Sequence, residues 1–126
     1  MFYKSTRNSN VKITSAEAIT QGISSDGGLF VPESIPSISF EEIEKLSKMS
    51  YADRAFEVFR KYLTDFTDAE IHYCTDNAYS TKNFDTENIA EIAHLFDGTY
   101  MLELWHGPTC AFKDMALQIL PYFLTT

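Results

Sequence analysis

Cysteine is scarce here: Cys74 and Cys110 are the only two in 126 residues. Two are too few for a disulfide framework, and they suit a reducing compartment. Neither a Cys-x-x-Cys pair nor a His-Glu-x-x-His run occurs, so the common zinc spacings are missing and no metal site is expected. Positive charge is short as well, with 10 Lys and Arg against 18 Asp and Glu and a net charge of −8. That balance argues against nucleic acid or an anionic membrane surface as a partner. No apolar run follows a basic start near Met1, and no apolar stretch reaches membrane-span length. A cytoplasmic protein is the expectation. Repeats and low-complexity segments are missing too. What is present is ordinary for a soluble globular protein of one-domain length: 44% hydrophobic and 22% charged residues.

The chain is organised around Leu102 to Asp114. Tyr100, Leu102 and Leu104 alternate like a strand, and Gly107-Pro108 must break it. Lys113 follows between Phe112 and Met115, ahead of a strongly apolar segment. A lysine at a strand-turn-helix junction is well placed for chemistry, since an apolar setting favours its neutral, nucleophilic form. A lysine snorkelling from a helix end is the commoner case. On spacing alone both readings stand. A phosphate-binding P-loop fails, because Phe112 and Asp114 flank the lysine where Gly and Ser or Thr are needed. Glu103, His106 and Cys110 lack a second cluster that would make them metal ligands. Cys110 with His106 as its base is formally a nucleophile pair, though a lone thiol is more often packing.

His106-Gly107-Pro108-Thr109, one variable residue, then Ala111-Phe112-Lys113-Asp114 resembles the HGPT-x-AFKD signature of threonine synthases, with eight of nine positions matched. These are pyridoxal-phosphate enzymes of the fold type II group. The resemblance implies that Lys113 is the catalytic residue and carries pyridoxal 5′-phosphate as a Schiff base. It further implies a complete enzyme that converts O-phosphohomoserine and water to threonine and phosphate.

Phe2 to Ser5, a turn at Asn8-Ser9-Asn10, and Val11 to Ile13 read as a hairpin. Lys4, Arg7 and Lys12 make it locally basic, which is either an anion contact or a solvated strand pair. Tyr3 and Ser5-Thr6-Arg7 resemble the Y-x-STRG opening of the family, with Asn8 in place of the glycine. The resemblance implies substrate contacts at Ser5, Thr6 and Arg7, and at His106 in the lysine motif. Gly22, then Asp26-Gly27-Gly28-Leu29 and Pro32, resemble its G-x-x-x-DGGL-x-x-P pattern, read here as a tight structural turn.

Helix starts are readable at four places. Thr14 with Glu17, Ser39 with Glu42, and Thr67 with Glu70 are capping boxes, and Ser50 with Asp53 opens another helix. Expected buried faces are Ile43 and Leu46; then Tyr51, Ala55, Val58, Phe59, Tyr62 and Leu63; then Ile71, Tyr73, Cys74 and Ala78. His72 reads as a surface residue, and Ala78-Tyr79 resembles the end of this helix in the family. After a polar stretch, Ile89 to Phe96 and Thr99 to Trp105 form a second hairpin about Asp97-Gly98.

Met115 to Leu124 is apolar almost all round and should be buried on all sides. A domain this small can hardly surround it. The expectation is the front end of a longer protein, whose terminal segment, left exposed, self-associates or stays loosely packed. Pro121 ends that helix or sits in a first turn. The fold class expected is α+β: an N-terminal hairpin with a small helical domain over residues 1–86, then a hairpin and helix over 87–126 that begin an α/β pyridoxal-phosphate domain. The missing parts of the cofactor site would lie beyond Thr126, leaving this chain alone inactive and without cofactor. The competing expectation is a non-catalytic folded fragment or interaction domain, or a related lyase acting on phosphorylated amino acids.

Overall fold

Four polar side chains start the four longest helices in the same way. In a computed structural model describing residues 1–126, Thr14 caps α1 (Ser15–Gln21), Ser39 caps α2 (Phe40–Leu46), Ser50 caps α3 (Tyr51–Tyr62) and Thr67 caps α4 (Asp68–Ala78). Each hydroxyl accepts from the amide three residues on, where no helical carbonyl is available. At Thr14, Ser39 and Thr67 the Glu three residues on returns the favour, closing a full capping box.

Strand pairing departs from expectation. β1 (Tyr3–Ser5) pairs antiparallel with β2 (Phe30–Pro32), with Tyr3 opposite Pro32, rather than with Val11 to Ile13. Of the expected N-terminal hairpin, the turn at Asn8 and a single bridge from Tyr3 to Ile13 remain. The reason is chemical. Thr6 and Leu29 exchange bonds, the Thr6 amide to the Leu29 carbonyl (2.9 Å) and the Leu29 amide to the Thr6 hydroxyl (3.0 Å). These ties draw the strand to the glycine turn.

β3 (Glu91–Phe96) and β4 (Thr99–Glu103) form the second hairpin as expected. Asp97 and Gly98 both take positive φ, 38° and 73°, as a type I′ turn requires. Its apolar side chains Ile92, Phe96, Tyr100 and Leu102 are all exposed.

One cluster makes the core: Phe56 from α3, Ile71 and Cys74 from α4, Phe84 and Ile89 from the connection, and Ile119 and Phe123 near the C-terminus, among others. It joins residues on both sides of Thr86. Phe56, outside the expected stripe, is the buried residue of α3, while Val58 is exposed. The His72 ring stacks on Phe56 with centroids 3.6 Å apart, so it is half-buried rather than a surface residue. Tyr73 and Ile43 point outward. α2 buries nothing, and the Lys61 to Glu42 ion pair at 2.7 Å ties it to α3 instead.

The apolar C-terminal segment is two short helices, α5 (Asp114–Leu117) and α6 (Leu120–Thr125), with Pro121 in the first turn of α6, where it is tolerated. The expectation of an uncovered segment is half overturned. Ile119 and Phe123 insert into the core, whereas Leu117, Leu120 and Leu124 stay exposed. Two short helices can turn one face in and leave the other out. No helix is long and apolar enough to cross a membrane.

Candidate active-site turn

The turn that carries Lys113 is closed by its own residues. Asp114 is completely buried, and its Oδ2 accepts from the Thr109 amide and the Thr109 hydroxyl, both at 2.9 Å. Gln118 donates to Oδ1 at 3.3 Å. Burial pushes the Asp114 carboxyl up, but these donors outweigh it and hold the group below the usual carboxylate range. Gly107 lies flat against this carboxylate, and the Cys110 amide returns to the Gly107 carbonyl at 3.0 Å. Four motif residues thus make a lock, and Lys113 is the residue just before its bolt.

Lys113 itself is exposed at the start of α5, where its carbonyl accepts from the Ala116 and Leu117 amides. The apolar enclosure expected around it is not formed: its neighbour Phe112 is 66% exposed. Sequence neighbours of a turn residue point several ways, and adjacency did not become contact. An open apolar depression of about 370 Å³ does lie beside it, lined by Phe112, Lys113, Met115, Ala116 and Leu117. The lysine makes no ion pair. From the other side Tyr79 at the end of α4 donates its hydroxyl to the Met115 carbonyl at 2.7 Å. Tyr79 is therefore an anchor for α5, a role its Ala-Tyr signal did not reveal.

His106, at the entry to the turn, is held at both ring nitrogens. Nδ1 lies 2.7 Å from Asp85 Oδ1 and Nε2 lies 2.9 Å from Glu103 Oε2. The bonds to Glu103 and then Asp85 push the imidazole up from its ordinary value. The Asp85 amide also donates to the His106 carbonyl at 3.0 Å.

Ser5, Thr6 and Arg7 sit apart, at the glycine turn. The buried Ser5 hydroxyl donates to the Asp26 carboxylate at 2.8 Å and accepts from the Arg7 amide at 3.1 Å. The Gly28 amide donates to the same carboxylate at 2.8 Å, and a Cβ on Gly28 would overlap Ser5 Oγ. Gly28 and then Ser5 lower the Asp26 carboxyl from its ordinary value. Arg7 spends only Nη1, on the Asp26 carbonyl at 3.1 Å. Ser5, Thr6 and Arg7 share no hydrogen bond with His106 or Lys113. Asp26 is the residue that sequence reading missed; its place four residues after Gly22, just before paired glycines, was the available signal. No group of three or more His, Cys, Asp and Glu side chains converges to hold a metal.

Fold and turn together define a class: an α+β N-terminal unit that leads into a lysine-bearing turn. Comparison with known proteins narrows it. The family described as "Threonine synthase N terminus" matches residues 2–79. The threonine synthase of Saccharomyces cerevisiae is 39% identical over 97% of this chain and 26% of its own length. That of Schizosaccharomyces pombe is 38% identical over 98% of this chain and 25% of its own length. The crystal structure of pyridoxal-phosphate-bound threonine synthase from Brucella melitensis superposes with a TM-score of 0.91 at 30% identity, over 98% of this chain and 26% of that one. The chain belongs to the threonine synthase N-terminal family. It spans about a quarter of the length of the curated relatives it matches.

Proposed function

We propose that this chain is the N-terminal part of a threonine synthase in which Lys113 holds pyridoxal 5′-phosphate, and that the whole protein turns O-phosphohomoserine and water into threonine and phosphate. The observation that carries this reading is the unpaired Lys113 amine, presented by a buried lock in a chain whose fold matches a pyridoxal-phosphate-bound threonine synthase. The residues present fit such a group. A free primary amine is the donor it needs, and the depression of Phe112, Met115, Ala116 and Leu117 offers an apolar wall for an aromatic ring.

When bound, the cofactor supplies an electron sink for carbanions formed on an amino-acid substrate. The chain's own residues do the rest. Lys113 takes and returns protons at Nζ once the substrate amine has displaced it. Asp114, Thr109 and Gly107 keep the lysine backbone in place, and Tyr79 fixes α5 behind it. Among Ser5, Thr6 and Arg7, the first two hydroxyls are already engaged in the glycine turn. Arg7 keeps guanidinium donors free and is our choice for a contact to the substrate phosphate.

Residues 1–86 form the N-terminal domain in this reading and 87–126 the first elements of the cofactor domain. This chain alone is inactive, lacking the remaining contacts to cofactor and substrate. The two free thiols favour a reducing, cytoplasmic setting. The test is phosphate release from O-phosphohomoserine by the complete enzyme. Lys113→Ala should abolish release while the circular dichroism of the protein is unchanged. Undiminished release would overturn the assignment.

A further inference from the structure

His106 is the one side chain here with both ends bonded to carboxylates from different parts of the chain. Asp85 belongs to the connection after α4, and Glu103 ends β4. Glu91 on β3 stands directly opposite Glu103 in the ladder. Like charges opposite each other across strands repel. Glu91 is held aside by the Thr86 hydroxyl and by Asn88, at 3.0 Å, and the nearby His106 charge lowers its carboxyl in addition to those bonds. These three carboxylates are the charged groups facing the ring, and the Trp105 ring lies beside it at 5.7 Å between centroids. A neutral imidazole carries one N–H and can donate to only one carboxylate. A protonated ring donates to both.

We propose that His106 is a positioning residue, a protonated staple between Asp85 and Glu103 that docks the β3–β4 hairpin onto the segment after α4 and fixes the entry to the Lys113 turn. Its position explains the need. β3 and β4 form an isolated two-stranded sheet with exposed apolar faces, which has little stability of its own. The backbone bond from Asp85 to His106 supplies one tie and the ring supplies two more. Gly107 follows at once and packs on Asp114, so the staple sets one end of the turn and the Asp114 lock sets the other. Only the identity of Lys113 as the positioned group rests on the proposed enzyme. The staple is a property of this chain whatever it does.

Linkage gives the sign. The docked imidazole has a pKa above its undocked value, so the staple is complete below the ordinary histidine range and is lost as pH rises through the docked value. The experiment uses the 126-residue chain. Ring proton signals of His106 are titrated by NMR, identified by their loss in His106→Gln, alongside amide protection factors across Glu91–Glu103. The expected midpoint is above that of an exposed histidine and falls in Asp85→Asn and in Glu103→Gln. Protection of the hairpin should drop tenfold for each unit by which the midpoint is raised. His106→Gln should remove the pH step. A midpoint at or below the ordinary value overturns the proposal even if the variants fail to fold. A pH step that persists in His106→Gln overturns it as well. Failure of the phosphate-release test with this titration intact would remove the enzyme and leave the staple.

Discussion

Gly107 and Asp114 touch so closely that a Cβ built on Gly107 would stand 2.5 Å from the Asp114 Cβ and 2.7 Å from its Oδ2. No side chain fits there without moving the buried carboxylate off Thr109. Gly107→Ala should therefore cost about 1–3 kcal/mol, the usual range for overpacking. Chemical denaturation of the chain measures it, and an unchanged midpoint would mean the turn is not closed this way.

Lys113 and Asp114 are neighbours in sequence and opposites in burial. Lys113→Ala should leave stability within about 0.5 kcal/mol, as exposed unpaired side chains do. Asp114→Ala strands the Thr109 amide and should cost about 1–3 kcal/mol. In the complete enzyme, borohydride reduction followed by peptide mapping should put the pyridoxyl group on Lys113. A label on another lysine would sink the cofactor assignment.

Acid should weaken this fold. Asp26, Glu70 and Asp114 are all lowered, and the Lys61 ion pair, followed by the Ser39 amide, brings Glu42 to about 2. Each lies lower folded than unfolded, so its contribution is present above the ordinary carboxylate values near ~4 and is lost as pH falls through the folded ones. The thermal midpoint should fall between pH ~4 and ~2, with a shallower slope in Asp26→Asn. Equal slopes would remove Asp26 from that account.

Phe123 packs edge-on against both Phe59 and Phe66, with centroids 5.2 and 5.5 Å apart. Phe123→Ala should cost about 3–5 kcal/mol. Cutting the chain after Asp114 removes Ile119 as well, so the shortened chain should be less folded and scatter more light. Exposed Leu117, Leu120 and Leu124 remain the surface through which the intact chain would self-associate. Concentration-independent scattering of the intact chain would exclude that.

Short-range chemistry was legible in the sequence. Thr14, Ser39, Ser50 and Thr67 announced their helices because capping needs only residues three apart, and Asp97-Gly98 announced its hairpin for the same reason. The partner of Tyr3–Ser5 was not legible, because it lies some twenty-five residues away and is chosen by Asp26 and Leu29. Lys113 was legible as a resemblance. Its exposure was not, since apolar neighbours in sequence say nothing about which way each points. Asp114 went unnoticed for a related reason: a carboxylate beside a lysine reads as its counterion, whereas this one turns inward to Thr109.

The core that runs from Phe56 through Ile89 to Phe123 also bears on how such a chain can be recombined. Residues 1–86 are not a detachable module, because Ile89, Ile119 and Phe123 close the space between α3 and α4. A chimera joined at Thr86 would pair one parent's helices with another's plugs, and it would inherit every mismatch in their shapes. A splice placed after Thr126 carries helices and plugs together. The natural seam for exchange therefore lies downstream of the lysine turn, and the turn travels with the helices that hold it.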